Sequence, residues 1–388
     1  MNTSPLLETQ RRLAPALLLA PALEGTWSLP AEYAPGAAKD EYAAVRRSGG
    51  VGMIDCSGRA VLRLTGPDRQ TFLQGMVSND VAALAPGTGC RAAFLDTTGH
   101  VLALLVVHNT GDALLVETDP RCAPRLLRTL DTYLIMEDVQ IRDVSREWVV
   151  LALRGEGAGD ALRAVSAAPV PAALPPLASV ELTLTGGVSA LAIGAAQGDA
   201  PGADLWLPAE AAPGVWKALY SAGIVPVGEE VAEVLRVEAG AGAWGREITD
   251  AVLLPELDRP DTVSYTKGCY VGQEIVARMR ARGHANRLLR GVLLAADAPV
   301  PSIGDTVHAP EGSAEPGREI GRLTSVVASP RFGGRALALS FIRRDYAEDK
   351  TPVAVHIPQP GGLTFAFDGH VLTRPFADPA ATVSTTSP

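Results

Sequence analysis

The chain has 388 residues and a formal net charge of -9, with 47% hydrophobic and 20% charged residues. That length exceeds one ordinary hydrophobic core, so two or three domains are expected. The hydrophobic content argues against extensive disorder, and the negative charge argues against a protein that binds nucleic acid over its whole surface. No apolar run reaches the roughly 18 to 20 residues of a membrane span, so we expect a cytoplasmic protein with no membrane segment.

The cysteines lie far apart in the sequence, at Cys56, Cys90, Cys122 and Cys269. No two of them form a C-x-x-C pair, and no histidine pair lies near, so the sequence predicts no metal site. A reducing cytosol is the simplest setting for such a pattern.

The first elements are predicted from hydrophobic spacing. The stretch "LAPALLLAPALEG" is apolar but broken by prolines, and we expect a frayed or docked helix inside an N-terminal tail of residues 1–30. Next, "RAVLRLTG" alternates like a strand, and "PDRQTFLQGMV" has helical spacing after Asp68, a candidate cap.

A hairpin and a second helix follow. The segment "RAAFLDTTGHVLALLVVH" predicts two strands with a turn from Asp96 to Gly99, and "ALLVETDP" predicts another strand. The helix in "RCAPRLLRTLDTYLI" has its proline in the first turn, where proline is tolerated. Antiparallel strands that alternate with helices favour an α+β fold.

The second half divides into two kinds of sequence. Prolines and small residues from Ser166 to Val180 predict a connection between two lobes. The last hundred residues hold short apolar runs spaced by Gly, Pro and Asp, which is typical of a small β-barrel. Residues 378–388 are predicted to be a tail.

The polar stretch "TKGCYVGQEIVARMRARGH", Thr266 to His284, holds the most reactive chemistry of the chain. Cys269 follows Gly268 and lies near Lys267, and the apolar spacing predicts a helix just afterward. A cation and a helix N-terminus lower the pKa of a thiol, so Cys269 is a candidate reactive group with Lys267 as its activator. The alternative is a small buried hydrophobic residue.

Other residues of this stretch have two interpretations as well. Gln273 and Glu274 fall in the first turn of the predicted helix, so they are ligand candidates or simple capping residues. The arginines are the densest basic group of the chain and predict either a local polyanion contact or a solvated face. They are Arg278, Arg280, Arg282, Arg287 and Arg290.

The motif "KGCYVGQE" followed by "VARMRARG" resembles that of the YgfZ-type folate-binding proteins, relatives of the T-protein, the aminomethyltransferase of the glycine cleavage system. Two further segments are similar to this family. They are "GPDRQTFLQGMVSNDVAALAPG", which resembles a first-lobe helix and turn, and "LRVEAG", which resembles the arginine-containing segment of the T-protein.

The resemblance implies two ferredoxin-like α+β lobes and a C-terminal β-barrel around a central cavity for tetrahydrofolate. The lobes would span residues 31–285 with a junction near 145–180, and the barrel residues 286–377. Arg236 would then lie near the pterin, where its planar donors can pair with carboxylates or carbonyls. Glu238 would be a weaker candidate, the alternative being a surface carboxylate at a helix end.

The sequence departs from the enzymes at two places. The T-protein pattern G-G-x-x-D-D aligns with "GHVLALLVV", which puts Ala103 and Leu104 at the acidic positions. Neither side chain can hold a proton, so aminomethyl transfer of the T-protein kind is not expected. The T-G-Y-T-G-E element is replaced as well, with Asp199 as the nearest carboxylate.

Three functions are therefore weighed. The leading hypothesis is a folate-binding accessory protein that supports assembly or repair of iron-sulfur enzymes, including tRNA-modifying ones, through Cys269. The alternative is a folate-dependent aminomethyl- or methyltransferase that uses another acid. The third is a non-catalytic scaffold. The implied partners are folate and iron-sulfur client enzymes.

Overall fold

The computed structural model describes residues 2–20, 26–171, 174–195, 201–359 and 363–376. The α-helices of the described chain are α1 (Leu7–Leu13), α2 (Ala38–Arg46), α3 (Arg69–Met76), α4 (Ala123–Tyr133), α5 (Ala158–Val165), α6 (Ala212–Ser221), α7 (Glu229–Glu238) and α8 (Gln273–Arg282). Short 3-10 helices lie at Leu254–Leu257, Pro260–Thr262, Pro330–Phe332 and Arg344–Tyr346.

The strands that precede α7 build two sheets and two short pairs. They are β1 (Asn2–Thr3), β2 (Leu18–Leu19), β3 (Trp27–Ser28), β4 (Pro30–Glu32), β5 (Gly52–Asp55), β6 (Ala60–Thr65), β7 (Thr88–Leu95), β8 (Val101–Asn109), β9 (Leu114–Thr118), β10 (Gln140–Asp143), β11 (Trp148–Arg154), β12 (Ser179–Thr183), β13 (Ser189–Gly194), β14 (Gly202–Pro208) and β15 (Val225–Val227).

The remaining strands close a barrel. They are β16 (Arg287–Leu294), β17 (Thr306–His308), β18 (Glu319–Ser329), β19 (Arg335–Arg343), β20 (Pro352–Pro358) and β21 (Thr364–Leu372). Their order around the barrel is β16-β19-β18-β17-β20-β21. Its interior is apolar, with buried Val292, Val307, Ala338 and Val355. The predicted C-terminal barrel is confirmed.

The first lobe is a five-stranded antiparallel sheet with the order β10-β6-β9-β8-β7. Helices α3 and α4 pack Leu73 and Leu126 against Leu62 and Leu105 of this sheet. The predicted hairpin is present, since β7 pairs with β8 on either side of the turn at Asp96. Helices on antiparallel strands confirm the predicted α+β class.

The second lobe is a six-stranded sheet with the order β12-β13-β14-β11-β5-β15, in which only the β5–β15 pair of the described strands is parallel. The chain passes from the first sheet to the second between Asp143 and Trp148. The proline-rich segment from Ser166 to Val180 runs instead from α5 to β12, and α5 packs on the sheet that contains β12. The segment from Ser166 to Val180 therefore lies within the second lobe, and the change of sheet falls at the start of the predicted junction near residues 145–180.

The N-terminal residues are part of the second lobe. Leu6 is fully buried, and the side chains of Ser4 and Gln10 donate to Asp55 Oδ2 at 2.6 and 2.8 Å. The described part of the predicted N-terminal tail is thus packed against the second lobe. The helix found there, α1, ends at Leu13, which is the first residue of the stretch in which a helix was predicted. Residues 21–25 and the predicted tail 378–388 lie outside the described residues.

Glu238 joins the second lobe to the barrel. Its carboxylate is buried and accepts from Tyr42 Oη at 2.9 Å, from Arg46 Nη2 at 2.6 Å and from Ser329 Oγ at 2.5 Å. A buried charge is stable only when it is paired and hydrogen-bonded, and this carboxylate has three donors. The alternative of a surface carboxylate at Glu238 is wrong.

We expect Tyr42→Phe to lower the free energy of unfolding by about 1.5–3 kcal/mol, the usual net contribution of a hydrogen bond to a charged group. The other two donors remain, so the variant should fold. Denaturant unfolding measures the change, with Tyr133→Phe as the control because the Tyr133 side chain is exposed. A loss no larger than that of the control would show that the phenol contributes nothing to this joint.

Candidate functional site

A central cavity of about 850 Å³ lies between the two sheets, the segment that follows α7 and the barrel. The wall from the first sheet includes Leu104, Val106 and His108 of β8, while the second sheet contributes Asp204 of β14. Clefts of about 300–1,000 Å³ are typical for small-molecule ligands. The cavity is therefore the candidate site.

Four charged side chains from both lobes form a half-buried cluster in the cavity wall. Arg59 Nη1 lies 2.6 Å from Asp204 Oδ2 and 3.2 Å from Glu117 Oε1, and Arg154 Nη2 lies 2.6 Å from Asp204 Oδ1. Burial alone would raise the pKa of Asp204, but the two arginines bring it well below its ordinary value. Burial raises the pKa of Glu117 despite Arg59. These pairs hold the two sheets together.

Glu229 is a carboxylate of the cavity lining with no hydrogen bond or ion pair to any described residue. It is the first residue of α7 and is half-buried. Burial raises its pKa to about 7, and the nearby charges of Asp55 and Glu233 act in the same direction. A group with this pKa can hold or release a proton near neutral pH.

Arg236 lines the cavity, but all five of its N–H groups have acceptors. Nε and Nη2 donate to the Glu233 carboxylate at 2.8 and 2.7 Å, and Nη2 also donates to Ser325 Oγ at 2.6 Å. Nη1 donates to Ala241 O and, at 3.1 Å, to Glu247 Oε2. A guanidinium has five donors, so none is left for a ligand in this arrangement. Arg236 positions Glu233 at the cavity.

Lys267 lies outside the cavity lining. Its ammonium donates to the carbonyl oxygens of Gln74, Val77 and Asn79 at 2.5, 2.6 and 2.9 Å, at the C-terminal end of α3. Burial lowers its pKa to about 8. The ammonium thus donates to the carbonyls of a helix end, as cations commonly do, while its role as activator of Cys269 stays a prediction.

The other motif residues also lie outside the cavity lining. Cys269 is exposed, and Gln273 and Glu274 begin α8, where Glu274 forms an exposed pair with Arg278 at 2.5 Å. The ligand contacts predicted for the two α8 residues are therefore absent from this arrangement. Gly272 has φ +80°, and a Cβ there would lie 2.4 Å from Asp96 O, so this glycine lets the motif pack on the hairpin turn.

The arginine-rich stretch does not form one basic face. Arg280 stacks on the Tyr265 ring at 3.6 Å, and Arg287 pairs with Glu256 at 2.8 Å. Arg290 is buried. It pairs with Asp258 at 2.7 Å. The guanidinium groups of Arg287 and Arg290 therefore have protein partners, which leaves little of the surface predicted to contact a polyanion.

Sequence reasoning missed Arg59, Asp204 and Glu229. They lie on different elements, and no local pattern connects them; only the strand alternation in "ADLWLP" could have marked Asp204 as an inward-facing carboxylate. Asp199 lies outside the described residues. In the described part of the chain, no group of three or more His, Cys, Asp or Glu is placed to hold a metal ion. No helix there is long and apolar enough to cross a membrane.

Comparison with known proteins gives the family. Residues 22–267 match the model of the GCVT N-terminal domain, which is more than half of the chain. The chain belongs to the GCVT N-terminal domain family. The aminomethyltransferase of Rubrobacter xylanophilus is 28% identical over 88% of this chain and 87% of its own length. The aminomethyltransferase of Halalkalibacterium halodurans is 27% identical over 86% of this chain and 88% of its own length.

The fold of the GCVT family is found as well. The crystal structure of the glycine cleavage system aminomethyltransferase T from Bartonella henselae matches with a TM-score of 0.83 and 21% identity. The match covers 97% of this chain and 98% of that one. This likeness concerns the fold, and it agrees with the two sheets and the closed barrel described above.

The positions at which the T-protein resemblance expects acids are apolar in this GCVT family member. Ala103 is 1% exposed and packs in the first-lobe core, whereas Leu104 lines the cavity. The Leu104 carbonyl accepts from Thr118 Oγ1 at 2.9 Å. This part of the wall can exclude water from a bound ring but cannot move a proton.

We expect iodoacetamide at pH 7.5 to modify Cys269 before the other three cysteines. Cys269 is exposed, whereas burial raises the pKa of Cys56 to about 11 and the pKa values of Cys90 and Cys122 to about 12. The thiolate is the reacting form, so raised pKa and low access both slow the other cysteines.

Peptide mass spectrometry after brief labelling of the native protein gives the order of reaction. The same labelling in urea is the control, because unfolding should make the four rates similar. Native labelling of Cys269 no faster than that of Cys90 would contradict the prediction.

Proposed function

We propose that the protein binds a reduced folate in the central cavity and transfers a one-carbon group to or from it. One observation carries the proposal: Glu229 is an unpaired carboxyl in an 850 Å³ cavity of a GCVT family member. Relatives that align with 86% or more of the chain are named aminomethyltransferases.

The lining fits a folate in its chemistry. Leu104 and Val106 offer an apolar wall to a flat ring, and Trp244 lines the cavity as well. Two buried nitrogens of the lining have no acceptor or donor, Nε of Arg91 and Nδ1 of His108. Buried polar groups are usually hydrogen-bonded, so such atoms favour a polar ligand. When bound, the folate supplies the nitrogen atoms that carry the one-carbon unit.

Glu229 takes the part of the acid that β8 lacks. With a pKa of about 7, its carboxyl group is partly protonated at neutral pH and can give a proton to a leaving amine. Desolvation causes most of this shift, so the proton affinity depends on the closed cavity wall. Asp204 of the charge cluster is paired with Arg59 and Arg154, which lower its pKa, so it is ionised at neutral pH and has no proton to give.

We expect Glu229→Gln to slow transfer by at least about 100-fold, the lower end of the contribution of general acid catalysis. Folate binding should change little, because Gln keeps the size of the side chain. The measurement pairs a tetrahydrofolate titration, followed by tryptophan fluorescence, with formation of methylenetetrahydrofolate from an aminomethylated lipoyl carrier. In the wild type, kcat should fall as the pH rises through about 7, where the acid loses its proton.

Glu210→Gln is the matched control, since Glu210 is exposed and lies outside the cavity lining. No saturable folate binding by the wild type would refute the proposed function. Binding without transfer would remove the transferase part and agree with the sequence-based expectation from Ala103 and Leu104. A full rate in Glu229→Gln would remove Glu229 from the reaction.

The second candidate is the YgfZ-type accessory role in iron-sulfur enzyme assembly or repair, including tRNA-modifying enzymes. Exposure of Cys269 outside the cavity favours it, because an exposed thiol can reach a client protein while the folate stays in its site. The relatives compared above have names that refer to aminomethyl transfer, which favours the first candidate.

In this second function, Cys269→Ser should abolish rescue of iron-sulfur-dependent tRNA thiolation in cells that lack the protein. Serine is neither a thiolate nor a redox group at neutral pH. Complementation scored by the modified nucleoside is the measurement, and Cys122→Ser, which changes a buried cysteine, is the control. Full rescue by Cys269→Ser would reject the role of the thiol.

A further inference from the structure

Three arginines from separate parts of the chain line the cavity, and one of them, Arg259, is a neighbour of each of the other two. They are Arg91 of β7 in the first lobe, Arg259 of the segment that follows α7, and Arg374 just after the last barrel strand. We call them the arginine cluster. This arrangement depends on the packing of the barrel against the first lobe.

The cluster has fewer negative partners than positive charges. Arg91 Nη1 donates to Asp261 Oδ2 at 2.6 Å, and Arg259 donates through Nε and Nη2 to both oxygens of the same carboxylate at 2.9 Å. Two guanidinium groups therefore share one carboxylate. Within the described residues, Arg374 makes no ion pair, so the three arginines and Asp261 leave a surplus of two positive charges.

Arg374 is held by backbone oxygens instead. Its Nη2 donates to the carbonyls of Leu257 and Asp258 at 2.6 Å, and its Nη1 donates to that of Gly240 at 3.2 Å. Burial and the neighbouring Arg259 lower its pKa to about 10, which leaves it charged at neutral pH. The charge is fixed in place and has no counter-charge of its own.

Arg91 has a donor that the protein does not use. Its Nε is buried and has no acceptor. Burial, and then Arg259, lower its pKa. A buried N–H without an acceptor costs free energy, and so does the crowding of like charges in a desolvated wall. Both costs fall when an anion enters the cavity beside the cluster.

The cluster and Glu229 lie in different electrostatic surroundings. The charges that act on Glu229 are Asp55, Glu233 and Arg59, and none of these acts on Arg374, whose neighbours are Arg259, Asp258, Asp261 and Arg290. The cavity therefore offers an acidic group and a basic group in separate places. Such a wall fixes the orientation of a ligand that has one anionic end.

We propose that the arginine cluster binds a dicarboxylate end of the cavity ligand, and that in a folate this end is the glutamyl tail. The second clause rests on the proposed folate-binding function. The planar forks of arginine match carboxylates, and two carboxylates neutralise the surplus charge. A small free dicarboxylate or a phosphate ion could bind to the same cluster, and the experiments below distinguish these ligands from the glutamyl tail.

The test compares tetrahydrofolate with tetrahydropteroate, which has the same rings and no glutamate. The ratio of the two dissociation constants should be about tenfold or more in favour of tetrahydrofolate, because its carboxylates accept charge-assisted hydrogen bonds from the cluster. Arg91→Gln should reduce the ratio by about tenfold. Arg91→Lys keeps the charge beside Asp261 and should give an intermediate ratio, which guards against a variant that fails to fold.

Arg125→Gln is the matched control, because Arg125 forms an exposed pair with Asp250 and lies outside the cavity lining. Its ratio should equal that of the wild type. The proposal is overturned if the wild type binds tetrahydrofolate and tetrahydropteroate equally tightly, or if Arg91→Gln leaves the affinity ratio unchanged. Neither result would contradict folate binding itself.

A second measurement does not depend on folate. Glutarate and inorganic phosphate are added separately, and the thermal unfolding midpoint of wild type and Arg91→Gln is recorded. Stabilisation by glutarate that needs Arg91, with no folate binding, supports a dicarboxylate site and refutes the proposed function. Stabilisation by phosphate alone overturns the dicarboxylate proposal. The proposal is also overturned if neither compound stabilises the protein and tetrahydrofolate binds no more tightly than tetrahydropteroate.

Discussion

The buried ion pairs of α7 determine how the second lobe meets the barrel. Arg236 lies between Glu233 and the fully buried Glu247, and Ser325 of the barrel hydrogen-bonds to both Arg236 and Glu247. A buried carboxylate must be paired, so these contacts can form in few relative positions of helix and barrel. With its C-terminal half fixed, α7 presents its first residue, Glu229, at the cavity.

The most specific stretch of the sequence serves the packing of the same cavity wall. Lys267 satisfies three carbonyls at the end of α3, and Gly272 allows the start of α8 to approach the β7–β8 turn. Together they fasten the segment after α7 to the first lobe, which also places Arg259 beside Arg91. Cys269 lies between Lys267 and Gly272 in the chain, and its side chain is exposed, whereas it does not line the cavity.

The cavity combines a family fold with an altered set of acids. Where the resemblance expects carboxylates on β8, Ala103 belongs to the core and Leu104 gives an apolar wall. The remaining ionisable groups are mostly paired across the lobes, as Arg59 is with Asp204. Glu229 is the exception, and desolvation keeps its pKa near neutrality.

The sequence by itself determined the secondary structure of the first lobe, the barrel and the α8 helix, because hydrophobic period and turn chemistry are local. It also indicated the relationship to the aminomethyltransferases, which the family match over residues 22–267 confirms, whereas the YgfZ type predicted from the Lys267–Glu274 motif stays a prediction. The apolar character of Ala103 and Leu104 follows from the sequence as well. Only the tertiary structure decided the site. It placed the Lys267 ammonium on backbone carbonyls, occupied every donor of Arg236, and brought Arg91 and Arg259 from distant positions to the same carboxylate. Electrostatic partners depend on distance in space, and no spacing in the sequence encodes that distance.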